Sequence, residues 1–199
     1  MTEAGRVYGG RSERERRADR RARLLAAGLD LFGTEGWTAT TIEKLCTAAG
    51  VATRSFYEEF SGREALLLAV FEDVLAGVIA EVTPRVLKGG TVADQLRAGL
   101  GGYVEHLTAD PRRARVVHHE IRVAGTLEDQ RQAAALRFAD LIARTARLPA
   151  EPRTHTLGIA LAGAVSEVLV DWVAQPEPRP ETGPLIEVLV ELYLSALTG

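Results

Sequence analysis

The stretch from Thr40 to Phe60, TTIEKLCTAAGVATRSFYEEF, constrains this chain more than any other. Thr40-Thr41-Ile42-Glu43 has the spacing of a capping box, in which a hydroxyl and a carboxylate three residues apart satisfy backbone donors at a helix start. Ile42, Leu45, Cys46 and Ala49 then recur on one helical face. Gly50 follows, and glycine accepts the left-handed backbone that stops a helix. A further short helix is predicted from about Thr53 to Phe60. Two short helices across a sharp turn, backed by Ala48-Ala49-Gly50-Val51, make a helix-turn-helix. Such a unit sets its second helix in the major groove of DNA.

Helical periodicity dominates the rest of the chain, and strand-like alternation does not persist. The expected fold is all-α with about nine helices. The first begins at the capping box Ser12-Glu13-Arg14-Glu15 or later near Asp19, carries Leu24, Leu25, Gly28, Leu31 and Phe32 inward, and ends at Gly36. After the helix-turn-helix a fourth helix opens at Gly62–Arg63 and stops before Pro84, with Leu66, Leu67, Val70, Phe71, Val74 and Val78 on its apolar face. Further helices are expected at about 92–108, 111–123 (capped by Asp110-Pro111), 126–147, 153–174 and 184–197. The segment Gln175–Gly183 has a proline at every second position from 176 to 180 and reads as a connector. Residues 1–16 read as a basic flexible arm, 17–62 as a DNA-binding domain and 63–199 as an effector-binding and dimerisation domain.

A net charge of −3 over 199 residues conceals an asymmetry. Residues 1–63 hold 11 Lys+Arg against 9 Asp+Glu, and residues 64–199 hold 13 against 18. Positive charge thus gathers beside the helix-turn-helix, and Arg11, Arg14, Arg17, Arg20 and Arg21 are candidates to flank the duplex, or else form a solvated face with Glu13, Glu15 and Asp19. The single cysteine, Cys46, excludes an intrachain disulfide and reads as a small buried residue. The N-terminus lacks an apolar signal core, and no run of about 18 apolar residues suggests a membrane span, so a cytoplasmic location is expected. The common catalytic and cofactor motifs are not visible, so neither an enzyme nor a cofactor is expected.

Groove reading needs hydrogen-bonding side chains at the start of the docking helix, where Thr53, Arg54 and Ser55 stand. The wider pattern Phe32…Gly36-Trp37-Thr38…Thr41-Ile42…Leu45…Ala49-Gly50-Val51…Phe56-Tyr57…Phe60…Arg63-Glu64…Leu66-Leu67 resembles the N-terminal domain of the TetR/AcrR family of bacterial transcription regulators. The resemblance covers about residues 17–70. It implies that Tyr57 binds a phosphate oxygen, that Thr53, Arg54 and Ser55 face bases and phosphates, that Arg63 contacts the DNA backbone in place of the family's lysine, and that Thr40 and Thr41 meet a phosphate. Phe56 and Phe60 are assigned to the core. Glu58 and Glu59 depart from the family pattern, and they are expected to point away from DNA and pair with Arg54 or Arg63.

Two half-sites require a dimer. The last two helices offer Leu161, Val165, Val168, Leu169, Leu185, Val188, Leu189 and Leu192, with Leu197 beyond them, as its apolar interface, in the manner of the family's four-helix interface. Helices four to seven would then enclose an effector pocket, with Tyr103, His106, His118, His119, Arg122, Phe138 and Trp172 as lining candidates and Glu120 beside them. A metal at His118-His119-Glu120 is disfavoured, because adjacent helical residues point about 100° apart. The expected function is a DNA-binding regulator, a repressor that a small hydrophobic effector releases from a palindromic operator. The alternative is a DNA-binding activator or architectural protein without an effector.

Overall fold

The computed structural model describes residues 12–145 and 151–198. The helices are α1 Glu13–Thr34, α2 Ile42–Ala49, α3 Thr53–Glu59, α4 Arg63–Val86, α5 Val92–Thr108, α6 Pro111–Arg115, α7 Ile121–Val123, α8 Glu128–Thr145, α9 Pro152–Ala174 and α10 Thr182–Thr198, with a π turn at Val116–Glu120. Helix α6, the π turn and α7 run on as a single rod, so the chain has nine helices among the described residues. No strand occurs among them. Arg11 and the arm residues before it, Leu148, and the side chain of Leu197 lie outside what is described.

The earlier of the two expected starts for α1 is the one used. Ser12 N–H donates to Glu15 Oε2 at 2.6 Å, and Glu15 N–H donates to Ser12 Oγ at 3.2 Å. Residues 13–16, expected within the flexible arm, therefore form the first turn of α1. The cap of α2 is Thr41 rather than Thr40: its Oγ1 accepts from Lys44 N–H at 3.3 Å. Glu43 then sits one place too early for the expected box. Helix α4 does not stop before Pro84 but continues to Val86. A proline forfeits one backbone bond and crowds the preceding turn, which is tolerable this close to a helix end. Asp110 caps α6 over Pro111, as read.

The core is continuous from α1 through α4 and α5 to α9 and α10. Leu24 and Phe32 of α1 and Leu66, Leu67, Val70, Phe71, Val74 and Val78 of α4 are all buried. Helix α10 packs chiefly on α5, and α9 on α8. By length and hydropathy alone α9 is apolar enough to cross a membrane, where the sequence led to no such expectation. Part of that apolar surface is instead covered by the neighbouring helices.

The α1–α6 contact positions the N-terminal unit on the rest of the chain. A Cβ placed on Gly33 would lie 2.4 Å from Arg112 Cβ and 2.9 Å from Arg112 Cα. Arg112 has little freedom to retreat, since Asp110 accepts from it at 2.8 and 2.9 Å and Asp30 at 2.9 Å. Gly33→Ala is therefore expected to cost about 1–3 kcal/mol, the range for overpacking a filled interface. Gly99→Ala, where the nearest atom would be 3.6 Å away in mid-helix, is expected to stabilise by about 1 kcal/mol through helix propensity. Urea midpoints of the two variants check the contrast.

Candidate nucleic-acid interface

The turn between α2 and α3 is built as its residues suggest. Gly50 is left-handed, with φ 61° and ψ 42°. Val51 N–H closes the turn on Cys46 O at 2.9 Å. Leu45, Cys46, Ala49, Val51, Phe56 and Phe60 turn inward, and burial pushes the Cys46 thiol pKa up. An anchor not evident from the sequence is Arg23 of α1. One of its guanidinium nitrogens donates to Ala49 O at 3.1 Å and to Gly50 O at 3.2 Å, gripping the carbonyl end of α2.

With that face anchored, the other face of α3 is presented to solvent. Thr53 is exposed, Ser55 half-buried, and the Arg54 side chain 93% exposed. Tyr57 is 57% exposed and stands edge-on to Phe56. Thr41 is exposed at the start of α2. Two other candidates are turned inward. Thr40 is fully buried, and its hydroxyl donates to Gly36 O at 2.7 Å. Arg63 lies over the Trp37 ring at 3.8 Å and donates to Trp37 O at 3.0 Å and Thr40 O at 2.6 Å. Both fasten the loop between α1 and α2, because carbonyls there have no helical partners and a guanidinium can serve two of them at once.

The two glutamates separate. Glu58 is half-exposed and lies 3.7 Å from Arg54 and 3.8 Å from Arg20. The Glu59 side chain is 2% exposed and takes Arg17 at 3.1 Å and Arg20 at 3.2 Å, not Arg63. Arg17 and Arg20, candidates to flank DNA, thus hold the end of α3 to α1. Arg21 lies over the Phe60 ring at 4.6 Å.

Of the pocket candidates, the structure gathers four around a buried polar cluster. Tyr103 Oη lies 3.1 Å from His118 Nε2, and His118 Nδ1 lies 3.0 Å from Ser166 Oγ. Arg122 donates to the same hydroxyl at 3.0 Å and to Glu167 at 2.6 Å. Arginine only donates, so Ser166 Oγ accepts from Arg122 and its own proton is available to His118 Nδ1. Phe138 completes the group, its ring 5.1 Å from that of Tyr103. The other three lie elsewhere. His106 Nδ1 pairs with Glu81 at 2.8 Å. His119 is half-exposed. Trp172 donates from Nε1 to Pro180 O at 2.9 Å under Arg179 and is among the residues lining an open groove of about 640 Å³ between α9 and α10. Ser166, which sequence reasoning missed, is one small hydroxyl in an apolar helix and carries no periodic signal.

Glu120 faces the other way from this cluster. It is 2% exposed; Oε2 accepts Trp37 N–H at 2.6 Å and Oε1 accepts Arg115 Nε at 2.8 Å. Arg115 also donates to Thr34 O at 2.9 Å.

The proposed interface residues also divide. Leu161, Val165, Leu169 and Leu189 belong to the core of this chain, and Val168 and Leu185 are half-buried against it. The outward face carries Ile159, Val188 and Leu192 instead, with Ala160 and Gly163 between. A helix apolar on nearly every side does not reveal which side it buries.

The sequence pattern described as "Bacterial regulatory proteins, tetR family" matches residues 24–70, from mid-α1 to mid-α4. The chain belongs to the TetR family. This TetR-family chain is a transcription regulator. It is 24% identical over 173 residues, 84% of its length and 78% of the relative's, to the transcriptional activator FasR of Mycolicibacterium smegmatis. It is 23% identical to the transcriptional regulator AcrR of Shigella flexneri, over 92% of this chain and 94% of the relative. Its fold is similar to that of the fatty acid degradation regulator FadR from Bacillus halodurans, with a TM-score of 0.75 and 18% identity over 88% of this chain and 94% of the other. FadR from Bacillus subtilis, in complex with stearoyl-CoA, also gives 0.75, with 17% identity over 88% and 98%.

Burial and the nearby Arg122 and Arg131 push the His118 pKa down to about 3. The unfolded chain then binds a proton near pH 6.5 that the folded chain refuses. The stabilising contribution is complete above pH 6.5 and falls as pH is lowered toward 3, by up to about 1.4 kcal/mol per pH unit. Urea midpoints measured from pH 7.5 to 4.5 are expected to decline less steeply in His118→Gln than in the wild-type protein.

Proposed function

We propose that this regulator is a homodimer that reads a palindromic operator with α3 and is released when a small apolar effector occupies the C-terminal helices. The observation that carries the reading is the opening of α3, where Thr53, Arg54 and Tyr57 are exposed on a helix whose opposite face is fixed in the core. In this reading Arg54 takes a guanine edge, Thr53 and Ser55 meet bases or phosphates, and Tyr57 and Thr41 meet phosphates. Thr40 and Arg63 support the interface from behind. The division into a DNA-binding unit at 17–62 and an effector and dimerisation unit at 63–199 belongs to the same proposal, as does action in the cytoplasm.

The dimer would use the outward stripe of α9 and α10, including Ile159, Val188 and Leu192, where Ala160 and Gly163 permit close approach. The effector would lie near Tyr103, His118 and Phe138. The similarity in fold to a FadR in complex with stearoyl-CoA supports a long apolar ligand. Release follows if the effector prefers the arrangement whose α3 spacing no longer matches the half-sites. A second reading, regulation without an effector, draws support from the space between α8 and α9. Lined by Ala139, Ile142, Leu157, Gly158 and Leu161, it admits no water-sized sphere. The activator among the relatives supports the opposite sign of regulation.

Footprinting on the DNA flanking the gene, followed by a screen of apolar compounds for release, tests the proposal. A protein that protects no palindrome there would defeat it, and protection that no compound relieves would favour the second reading. Arg54→Ala is expected to reduce discrimination at its base by about 1–3 kcal/mol. Tyr57→Phe is expected to weaken matched and scrambled duplexes alike by about 1 kcal/mol. Equal losses on both duplexes for Arg54→Ala would make it a phosphate contact. For the dimer, Val188→Asp combined with Leu192→Asp is expected to sediment as a monomer, while Ile79→Asp, exposed on α4, leaves the mass unchanged.

A further inference from the structure

We infer that Glu120 is a positioning residue that sets the orientation of the helix-turn-helix unit, and that the π turn links it to the polar cluster around His118. The link to regulation rests on the reading of that cluster as the effector side.

The contact itself is specific. The carboxylate of Glu120 is buried at the seam between the N-terminal helices and the rest of the chain, and its two oxygens are assigned to different partners. One holds the backbone of Trp37, 83 residues away in sequence. Trp37 is the residue on which Arg63 of α4 lies, and Thr40, three residues on, receives the same guanidinium. The other oxygen holds Arg115, which returns to the last carbonyl of α1. Gly36, left-handed at φ 89°, brings the loop within reach: a Cβ there would lie 2.9 Å from Arg115 and 3.3 Å from Glu120. Hydrogen bonds are directional, so these contacts fix an angle between the two parts of the molecule, where apolar packing would permit sliding.

His118 lies two residues before Glu120 on the same turn. Residues two apart on a helix point to nearly opposite sides, about 200° from one another. His118 accordingly meets Tyr103 and Ser166 of the C-terminal helices while Glu120 meets Trp37. The segment between them is a π turn, which carries one residue more than the α-helix it interrupts. Shifting that extra residue along the rod rotates neighbouring side chains by about 100°. A change in the partners of His118 therefore has a route to withdraw Glu120 from Trp37.

Amide hydrogen exchange of the free, full-length protein tests this without DNA or an effector. Ser166→Ala and Tyr103→Phe alter the polar cluster only, and neither residue contacts the N-terminal helices in any hydrogen bond described above. Both variants are expected to speed exchange of the Trp37 amide at least tenfold, while the Leu45 and Phe56 amides change less than twofold. Glu120→Ala is expected to do the same, and Glu120→Gln, which keeps an acceptor for Trp37, to change it less. If Ser166→Ala and Tyr103→Phe leave Trp37 within twofold of wild type, the contact is a static clamp and the inference fails. It also fails if Trp37, Leu45 and Phe56 accelerate together, because that is general loosening. Should Glu120→Ala not fold, the other two variants decide alone. Failure here leaves the footprinting experiment untouched, since a static clamp is compatible with operator binding and release by another route.

Discussion

Backbone-distance packing against α1 is the constraint on which the rest of the arrangement depends. Gly33 lets α6 approach to contact, and Gly28 does the same for α4, where an added Cβ would lie 2.8 Å from Val70. With both neighbours this close, the separation of α1 from the C-terminal helices is fixed. Its arginines then hold the helix-turn-helix to that reference: Arg23 on the carbonyls of the turn, Arg17 and Arg20 on Glu59 at the far end of α3. The orientation of α3 is thus inherited from α1, and that of α1 from the helices behind it.

Polar groups complement this packing on both sides of the rod formed by α6, the π turn and α7. The polar residues buried there are Thr40, His118, Glu120 and Ser166. Thr40 and Glu120 lie at the seam around Trp37, and His118 and Ser166 lie on the far side of the same rod. Each has a partner, as burial requires, since an unpaired group would cost about 1–3 kcal/mol. Apolar burial supplies the bulk of the stability, and these few directional contacts select one arrangement among those that bury similar area.

The parts legible in the sequence are those set by local periodicity. The inward faces of α2 and α4, the stop at Gly50, the burial of Phe56 and Phe60 and the capped start at Ser12 all follow from residues within a turn or two of one another. The capping-box spacing assigned the cap of α2 to Thr40, and the structure places it at Thr41. Arg63 was assigned to the DNA backbone because it stands where the resembled family has a lysine, and the Trp37 ring beneath it is not visible from that position. The faces of α9 were misassigned because that helix is apolar nearly all round, so the pattern marks it as buried without saying where. Glu120 illustrates the limit most clearly: its partner is 83 residues distant, and no spacing rule reaches that far. For the candidate DNA contacts, Thr53, Arg54 and Tyr57 were legible as exposed because the core side of so short a helix is filled by Phe56.

The internal use of arginine has a consequence for how such a protein would search a chromosome. Arg17, Arg20, Arg23 and Arg63 each engage a neighbouring carboxylate or carbonyl, and even Arg54 lies within reach of Glu58. Non-specific attraction to DNA comes largely from displaced counterions, with a slope of about −0.9 in log affinity against log salt for each phosphate neutralised. A domain in which these five arginines are already engaged displaces few counterions through them. Its residence on arbitrary sequence would be brief, and discrimination would rest on the short-range fit at the opening of α3 and not on a broad electrostatic hold.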